Sequence, residues 1–384
     1  MVNRNSKLRV GVIFGGRSGE HEVSLMSARS ILDALDKDKY EVIQIGIAPD
    51  GSWWMGRDVL EVFVEGKQPD NLLPISLLLD PTRPEIYDLS PASEISSETT
   101  GSRSNLGQKP IHLDVIFPAL HGTFGEDGTL QGALELVDIA YVGAGVLGSA
   151  LGMDKAVFKD VMRAHSIPVV ETITILRREI EDNIRDVLKK AEQIADYPLF
   201  VKPANLGSSV GITKCQSRSD LMEGLYEAAR FDRKILVERG LDAREIEVSI
   251  LGNDHPQASV PGEILPSREF YSYEAKYIDN KSGLLIPAPL SADLTHRVQE
   301  LAIAAYRAID CAGMARVDFL LERHPVSGDG LYLSELNTIP GFTQISMYPK
   351  LWEASGLSYP ALLDRLIDLA VERKFERDRI ERHR

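Results

Sequence analysis

Three side chains near the end of the chain, Asp318, Glu335 and Asn337, have the types and spacing of a divalent-cation site. Arg316 and Asp318 in "ARVDF" are two residues apart, and so are Glu335 and Asn337 in "SELNT". Because side chains alternate faces along a strand, each pair is expected to share one face. If the two strands pair as a hairpin, the carboxylate and amide oxygens converge, and such oxygen ligands suit Mg²⁺. The alternative is a ladder of paired charges on a solvated sheet face.

A second candidate is the stretch "FVKPANLGSSVGI", residues 200–212. It predicts a strand, a turn at Gly207 and a second strand, which together would form a hairpin lid. Lys202 on the first strand, with the hydroxyl and N–H groups of Ser208 and Ser209, would suit an anion such as a phosphate. The spacing differs from both common nucleotide-loop motifs. The alternative is a flexible hairpin tip that binds nothing.

Three further segments carry candidate groups. Lys155 in "GMDKAVFK" is a second cation near the start of a predicted helix. The segment "YSYEAKYID", with Lys276 and Tyr277, predicts either simple aromatic packing or a mobile flap that faces a substrate. After the acidic strand, "NTIPGFTQIS" places a Pro–Gly turn at Gly341 and a hydroxyl at Ser346. The turn is expected to expose backbone N–H groups beside the cation site.

Two histidines lie in glycine-rich turns that follow predicted strands. His21 is flanked by Glu20 and Glu22 in "GEHEVS", and His121 begins "HGTFGEDGTLQG". Open α/β sheets bind ligands at the carboxyl ends of their parallel strands, so both turns are candidate substrate positions. For the two glutamates the alternative is helix capping, because negative charge is favoured at a helix N-terminus.

The elements that position these groups indicate an α/β protein. Continuous apolar runs at 8–14, 41–47 and 111–118 alternate with helical spacing, which predicts a parallel sheet covered on both faces. A stretch rich in Ser, Thr and Gly at about 89–109 predicts an exposed insertion. The second part of the chain opens with a helix capped by Asp154 and later becomes rich in strands.

Composition and charge narrow the function classes. At 384 residues the chain is long enough for two or three domains, and its net charge is −14, from 43 basic and 57 acidic residues. This balance disfavours a nucleic-acid partner, which would need a basic face. Cys215 and Cys311 form no zinc-type or disulfide pattern and are expected to be buried. With no signal peptide and no run of roughly 20 apolar residues, we expect a cytoplasmic protein without a membrane partner.

Taken in order, seven motifs resemble those of the D-alanine–D-alanine ligases, a family of the ATP-grasp superfamily. They run from residue 15 to residue 346 and read "GGRSGEHEVS", "FPALHGTFGEDGTLQG", "GMDKAVFK", "VKPANLGSSVGI", "YSYEAKY", "ARVDF" and "ELNTIPGFTQIS". The resemblance implies an α/β protein with the ATP-grasp fold. Its expected domains are an N-terminal open parallel-sheet (pre-ATP-grasp) domain at 1–152, a small central lid domain at 153–237 and a C-terminal mixed-sheet catalytic domain at 238–384. In this fold ATP lies between two antiparallel sheets.

The resemblance also implies a reaction and its participants. ATP and two Mg²⁺ ions, with Mn²⁺ as a substitute, drive the joining of two D-alanine molecules through a D-alanyl phosphate, and the dipeptide enters peptidoglycan precursors. By the matching positions, the resemblance implies that ATP is bound by Lys155, Lys202, Ser208, Ser209, Glu238, Glu245 and Lys276, and the metal ions by Asp318, Glu335 and Asn337. The amino-acid substrates are bound by Glu20, His121, Arg316 and Ser346. The catalytic residues are Glu20, Ser208, Tyr277, Arg316 and Gly341. A homodimer formed through the N-terminal domain is a candidate assembly.

Several alternatives stay open at this point. Relatives that use D-lactate or D-serine as the second substrate share most of these motifs, although Tyr277 favours D-alanine. Another ATP-grasp carboxylate–amine ligase fits the "EHEVS" and "EAKY" segments less well. A nucleotide-binding protein that has lost catalysis would lack part of the metal and oxyanion set, which is complete here. Gly240 departs from relatives that place an aromatic residue over the adenine.

Overall fold

The computed structural model describes residues 7–67, 69, 71–90, 110–207, 210–265, 283–325 and 330–381, which fold into two compact units. The first unit contains the chain up to Gly143, the segment Gly341–Gln344 and the C-terminal part from Ser358. The second contains Ala144–Pro340 and Ile345–Leu357. Ser208, Ser209, Lys276 and Tyr277 lie outside the described residues, as does the predicted insertion from residue 91 onward.

An eight-stranded sheet with the order β6-β5-β4-β3-β2-β1-β7-β8 forms the centre of the first unit. Its strands are β1 (Leu8–Gly15), β2 (Tyr40–Ile47), β3 (Trp53–Gly56), β4 (Leu73–Leu77), β5 (Glu85–Asp88), β6 (Ile111–His112), β7 (Val115–Pro118) and β8 (Ala140–Tyr141). β1 pairs in parallel with β2 and β7, and β7 with β8, so the predicted parallel centre is confirmed. From β2 outward to β6 the pairs are antiparallel. Val10, Val12 and Ile13 of β1 are fully buried, as a strand covered on both faces requires.

The prediction of a single strand at 111–118 is wrong. The chain there forms two strands, β6 at the outer edge of the sheet and β7 beside β1. Between them Arg9 donates its backbone N–H to the Asp114 carboxylate at 2.7 Å, and Asp114 donates its own N–H to the Arg9 carbonyl at 2.9 Å. This contact between distant parts of the chain redirects the backbone, and an apolar run alone does not reveal it.

The second unit holds two further sheets. The smaller has the order β11-β10-β12-β9, with β9 (Thr172–Leu176), β10 (Leu199–Pro203), β11 (Thr213–Cys215) and β12 (Lys234–Arg239), all antiparallel. The larger has the order β16-β15-β13-β17-β18, with β14 beside β13; these are β13 (Ala243–Leu251), β14 (Gln257–Ala258), β15 (Gly262–Leu265), β16 (Gly283–Leu285), β17 (Met314–Glu322) and β18 (Leu331–Asn337). Its described ladders are antiparallel, and its parallel component is an isolated bridge between Val169 and Leu333. β12 runs past the predicted domain boundary at 237, and the division into three domains stays a proposal.

Helices cover the faces of these sheets. They are α1 (His21–Ala34), α2 (Val59–Val64), α3 (Thr129–Val137), α4 (Val146–Met153), α5 (Lys155–Ala164), α6 (Arg177–Ala191), α7 (Arg218–Phe231), α8 (Ala292–Ala308), α9 (Met347–Ala354) and α10 (Tyr359–Asp378). Asp154 caps α5 as predicted, since its side chain accepts the N–H of Val157 at 3.2 Å. None of the helices within the described part of the chain is both long and apolar enough to cross a bilayer.

The last helix, α10, belongs to the first unit although it ends the chain. Its inner face is apolar and fully buried. Near its end Arg373 donates to the Tyr141 carbonyl at 3.1 Å and to the carbonyl of Gly143, and its guanidinium lies 4.3 Å from the centre of the Tyr141 ring. Arg377 pairs with both Glu135 and Asp138. The first unit is therefore completed by residues from the other end of the sequence.

Candidate active site

One face of the larger sheet carries a grid of side chains from β13, β17 and β18. The pairing register aligns its rows as Glu245, Leu320 and Tyr332, then Glu247, Asp318 and Glu335, then Ser249, Arg316 and Asn337. The intervening residues, such as Val248 and Val317, are fully buried on the opposite face. Alternation of apolar and polar residues thus determines which face becomes core. The predicted pairing of the two acidic strands is confirmed.

A β-bulge in β18 keeps the acidic positions on the grid face. The register between β17 and β18 shifts by one residue after Asp318, so Ser334 is an extra residue in β18. Leu333 and Leu336 are both buried in the core although their spacing of three would put them on opposite faces of a regular strand. The shift therefore brings Glu335 opposite Asp318. Bulges of this kind re-aim side chains and are common next to active sites.

The middle of the grid is a network of charges. Arg316 donates from Nε to Asp318 Oδ1 at 2.8 Å and from a terminal nitrogen to Oδ2 at 2.7 Å. The same Nε lies 3.0 Å from Glu247 Oε2, and Lys155 Nζ lies 3.4 Å from Glu335 Oε2. Burial alone would lower the pKa of Arg316, but Asp318 and Glu247 raise it well above its ordinary value. The guanidinium is therefore charged at any physiological pH.

The donor set of this grid fits a Mg²⁺ ion. Asp318 and Glu335 lie directly opposite each other, where like charges repel, and the Asn337 amide contacts Asp318 Oδ2 at 3.1 Å. Three carboxylates in the middle row face the cations of Arg316 and Lys155, which leaves an excess negative charge. Within the described ranges no three Asp, Glu, His or Cys side chains could hold a metal by themselves. Mg²⁺ usually keeps waters and takes further ligands from substrate phosphates.

A buried ion triad joins β10, β12 and α5. Glu238 lies between two lysines, with Lys159 Nζ 3.0 Å from Oε1 and Lys202 Nζ 2.7 Å from Oε2. Lys159 is 1% exposed and Glu238 is 6% exposed. Burial by itself raises the pKa of Glu238, but the two lysines outweigh it and lower the pKa to about 2. Glu238 is therefore an ionised hydrogen-bond acceptor at neutral pH.

Replacing Lys159 by methionine should flatten the dependence of stability on pH in acid. The folded-state pKa of Glu238 is depressed, so its contribution to stability is present above the unfolded-state pKa and is lost as the pH falls toward about 2. The shift of the Glu238 pKa from 4.5 to about 2 corresponds to a contribution on the order of 3 kcal/mol to the free energy of unfolding. Without Lys159 the depression shrinks, so the free energy of unfolding should fall less between pH 5 and pH 2 than in wild type, measured by urea unfolding.

Lys190→Met is the matched control for this experiment. Lys190 pairs with Glu179 at 3.3 Å on the surface, where such pairs contribute little to stability. The control should therefore keep the wild-type slope. Equal slopes in wild type and Lys159→Met would contradict the assignment of the low pKa to the triad.

The segment around the predicted lid forms the expected antiparallel hairpin of β10 and β11. Lys155 Nζ donates to the Leu206 carbonyl at 3.1 Å, so this lysine contacts both the hairpin and Glu335 of the grid. A positive φ of 72° occurs at Gly211, two residues before β11, and the predicted reversal at Gly207 stays a prediction. Such a φ is the left-handed region that favours glycine.

In the first unit two of the predicted substrate residues, Glu20 and His121, lie in the turns that follow β1 and β7. Ser27 Oγ lies 2.8 Å from His121 Nε2, and both side chains are buried. A Cβ added to Gly122, whose φ is 74°, would lie 2.5 Å from Glu20 Oε2, so this turn packs directly on the carboxylate. Glu20 is the N-cap residue of α1 and Glu22 lies in its first turn, so both carboxylates stand where the capping alternative places them. His21 contacts a backbone carbonyl of its own turn at 2.9 Å.

The segment Gly341–Gln344 also belongs to the first unit. Phe342 donates its N–H to Ser27 Oγ at 3.5 Å, and its ring meets that of Phe117 edge-on at 5.9 Å. The Phe342 ring packs in the first unit, so Gly341 belongs to the same unit as His121. Its predicted place beside the acidic strand stays a prediction.

The remaining predicted positions lie in the second unit. Ser346 immediately precedes α9, and a helix N-terminus attracts anions such as a carboxylate. Glu245 lies at the outer row of the grid beside Leu320. A Cβ added to Gly240 would lie 2.5 Å from the Pro198 carbonyl oxygen, so the local backbone leaves no room for an aromatic residue there.

Three residues of these clusters were not predicted from the sequence. Glu247 follows Glu245 by two residues in "EIEVSI", so strand alternation could have placed it on the grid. Lys159 follows Lys155 by four residues and shares its helix face, but nothing in the sequence shows that Glu238 lies opposite. Ser27 gives no local signal, because its contact with His121 joins residues 94 positions apart.

Comparisons with known proteins extend over nearly the whole chain. Family models described as D-ala D-ala ligase N-terminus and C-terminus match residues 9–144 and 161–368. A D-alanine--D-alanine ligase of Natranaerobius thermophilus is 50% identical over 374 residues, 97% of each chain. The solved D-alanine-D-alanine ligase from Coxiella burnetii is 36% identical with a TM-score of 0.78 and covers 97% of this chain and 96% of its own. The VanG D-Ala:D-Ser ligase from Enterococcus faecalis is 33% identical with a TM-score of 0.81, over 95% and 100%.

Proposed function

We propose that this chain, which belongs to the D-alanine–D-alanine ligase family, joins two D-alanine molecules to D-alanyl-D-alanine in a reaction driven by ATP. The observation that carries the proposal is the grid on the larger sheet. Two facing carboxylates, an amide and a guanidinium occupy neighbouring positions there, and Lys155 contacts the same cluster. Phosphoryl transfer to a carboxylate requires groups of this kind, which position the reactants and stabilise the charge on the phosphoryl oxygens.

In the first step a carboxylate oxygen of one D-alanine attacks the γ-phosphorus of ATP. The bond to the β-phosphate oxygen breaks, ADP leaves and D-alanyl phosphate forms. Lys155, Lys202 and Lys276 neutralise the charge that builds on the phosphate oxygens. Asp318, Glu335 and Asn337 would hold Mg²⁺ through their carboxylate and amide oxygens, and the ion would supply further charge neutralisation.

The nucleotide is held by groups of the second unit. Glu238 accepts a hydrogen bond from the exocyclic amino group of the adenine, and the low pKa that its two lysines maintain suits it for this, because an ionised carboxylate only accepts. Glu245 binds the ribose hydroxyls from the outer row of the grid. Ser208 and Ser209 bind phosphate oxygens from the lid.

In the second step the amine of the other D-alanine attacks the acyl carbon, and phosphate leaves from the tetrahedral intermediate. Arg316 and the N–H of Gly341 stabilise the oxyanion, and one donor of this kind is worth about 3 kcal/mol. Ser346, at the N-terminus of α9, holds the carboxylate of this second substrate. The dipeptide remains when phosphate has gone.

The first D-alanine is held by the first unit. Glu20 pairs with its ammonium group, and His121 lies in the same subsite, where Ser27 fixes the orientation of the imidazole. Glu20, Ser208 and Tyr277 form a hydrogen-bonded triad when the lid closes. Closure excludes water, which would otherwise hydrolyse the acyl phosphate.

The identity of the second substrate distinguishes the proposed function from a second candidate function. The similarity to a D-Ala:D-Ser ligase makes D-serine the second candidate, while Tyr277 favours D-alanine over D-lactate. The dipeptide is a component of peptidoglycan precursors, so we place the reaction in the cytoplasm. A homodimer through the N-terminal domain is part of the same proposal.

Product analysis tests the proposal directly. The pure protein is incubated with ATP, Mg²⁺ and D-alanine alone, with D-alanine plus D-serine, with D-alanine plus D-lactate, and with L-alanine. We expect D-alanyl-D-alanine as the main product and one ADP for each dipeptide. D-Alanyl-D-serine or a depsipeptide as the main product would reject D-alanine at the second position, and no ADP in any mixture would reject the ligase.

A further inference from the structure

Glu247 is the third carboxylate of the middle row, and the proposed reaction gives it no task. It lies in register with Asp318 on the neighbouring strand, on the same face of the sheet. The residue is 5% exposed, and its Oε2 lies 3.0 Å from Arg316 Nε. A buried carboxylate costs free energy unless it is paired, so its position beside a buried guanidinium needs an explanation.

Asp318 accepts the hydrogen bond of Arg316 Nε, and Glu247 forms an ion pair with the same nitrogen. Nε carries a single proton, and it lies 2.8 Å from Asp318 Oδ1 and 3.0 Å from Glu247 Oε2. Asp318 also accepts from a terminal nitrogen at 2.7 Å, so in this arrangement it holds the guanidinium with both of its oxygens. Asp318 in that role has little capacity left for a cation.

A divalent cation at Asp318 would change this balance. Oxygens that ligate a metal are no longer full acceptors for Arg316, and the guanidinium would lose its main partner while still buried. A buried charge without a partner is strongly destabilising. Glu247 is already within hydrogen-bond distance of Nε and lies outside the facing pair formed by Asp318 and Glu335.

We propose that Glu247 is a positioning residue that holds Arg316 in place when Asp318 binds a divalent cation. The inference rests on the proposed roles of Arg316 and Asp318. Glu247 lets the same arginine neutralise the grid before the metal binds and remain fixed for the acyl-transfer step afterwards. Without its charge, Arg316 competes with the cation for Asp318.

The sheet contains a matched control for a purely structural role. Glu263 on β15 is 4% exposed and accepts two hydrogen bonds from Arg244, from Nε at 2.8 Å and from a terminal nitrogen at 2.7 Å. It pairs in register with Ile246, on the face opposite the grid. Glu263→Gln therefore removes the same charge from the same kind of pair, away from the proposed cation site.

The experiment compares full-length wild type, Glu247→Gln and Glu263→Gln. The affinity for Mn²⁺ is measured by electron paramagnetic resonance in the presence of ADP. The values of kcat and KM for D-alanine are measured by ADP release, and folding is measured by thermal unfolding. We expect Glu247→Gln to weaken Mn²⁺ binding and lower kcat by about 10- to 100-fold each, as loss of a partner behind a metal ligand does, with KM for D-alanine nearly unchanged. Glu263→Gln should lower the unfolding temperature similarly and leave Mn²⁺ affinity and kcat unchanged.

Two results would overturn the inference. One is wild-type Mn²⁺ affinity in Glu247→Gln, and the other is an equal loss of affinity in both variants. If the wild-type protein binds no Mn²⁺, the proposed cation binding at Asp318 is wrong, and the inference about Glu247 fails with it. If wild type forms no dipeptide, the ligase proposal fails, and the Mn²⁺ measurement alone still decides whether Glu247 and Asp318 are coupled.

Discussion

Replacing Glu335 by glutamine should lower the rate of dipeptide formation by at least about 10²- to 10³-fold, the range for losing one electrostatic contact to the transition state. The substitution keeps the shape of the side chain, so the bulge and the sheet should form normally. It removes one negative charge from the middle row, where the excess over Arg316 and Lys155 is what attracts a cation. Weaker Mn²⁺ binding should accompany the loss of turnover, and both are measured on the same preparation.

The control for this variant is Glu322→Gln. Glu322 ends β17 and pairs with Arg239 at 2.9 Å, away from the facing acidic pair. It should retain nearly normal turnover and Mn²⁺ affinity. Near-normal turnover in Glu335→Gln would contradict the proposed role of the grid in the reaction, whatever the result for the control.

Deleting residues 358–384 should unfold the first unit and leave the second folded. Helix α10 buries five large apolar side chains to 1% exposure or less, namely Leu362, Leu363, Leu366, Ile367 and Leu369. Each contributes about 1.5–3 kcal/mol. Their sum is comparable to the whole stability of an ordinary domain, about 5–15 kcal/mol. Hydrogen exchange should show protection lost in β1 and β7 but retained in β13 and β17.

A shorter truncation after Arg379 is the control for this deletion. Ile380, the first residue removed, is 64% exposed, and the helix ends at Asp378. This variant should keep the wild-type exchange pattern in both units. Protection of β1 that survives the longer deletion would show that α10 is dispensable for the first unit.

Local patterns predicted the parts of the site that depend on one strand or one hairpin. Alternation placed Arg316 and Asp318 on one face without any knowledge of the fold, and a connection rich in Gly and Pro predicted the hairpin. The roles assigned to Tyr277 and Lys276 stay predictions, because both lie outside the described residues.

Contacts between residues that are distant in sequence could not be predicted from these local patterns. Asp114 divides an apolar run into two strands only because Arg9 lies beside it in the fold. Lys159 looks like an ordinary helix residue until Glu238, 79 positions later, is placed opposite it. Gly341 follows the acidic strand in sequence but packs with the first unit through Phe342.

The bulge at Ser334 determines where β18 can change in length during evolution. Removal of Ser334 would let the ladder continue without interruption, with Leu333 still in the core and Glu335 still on the grid. Removal of Tyr332 instead would turn Leu333 toward the grid and Ser334 into the core. Homologues with a shorter strand should therefore lack the residue at position 334. An alignment that puts the gap at position 335 would pair the homologue's glutamate with Ser334 and so misplace one of the proposed metal ligands.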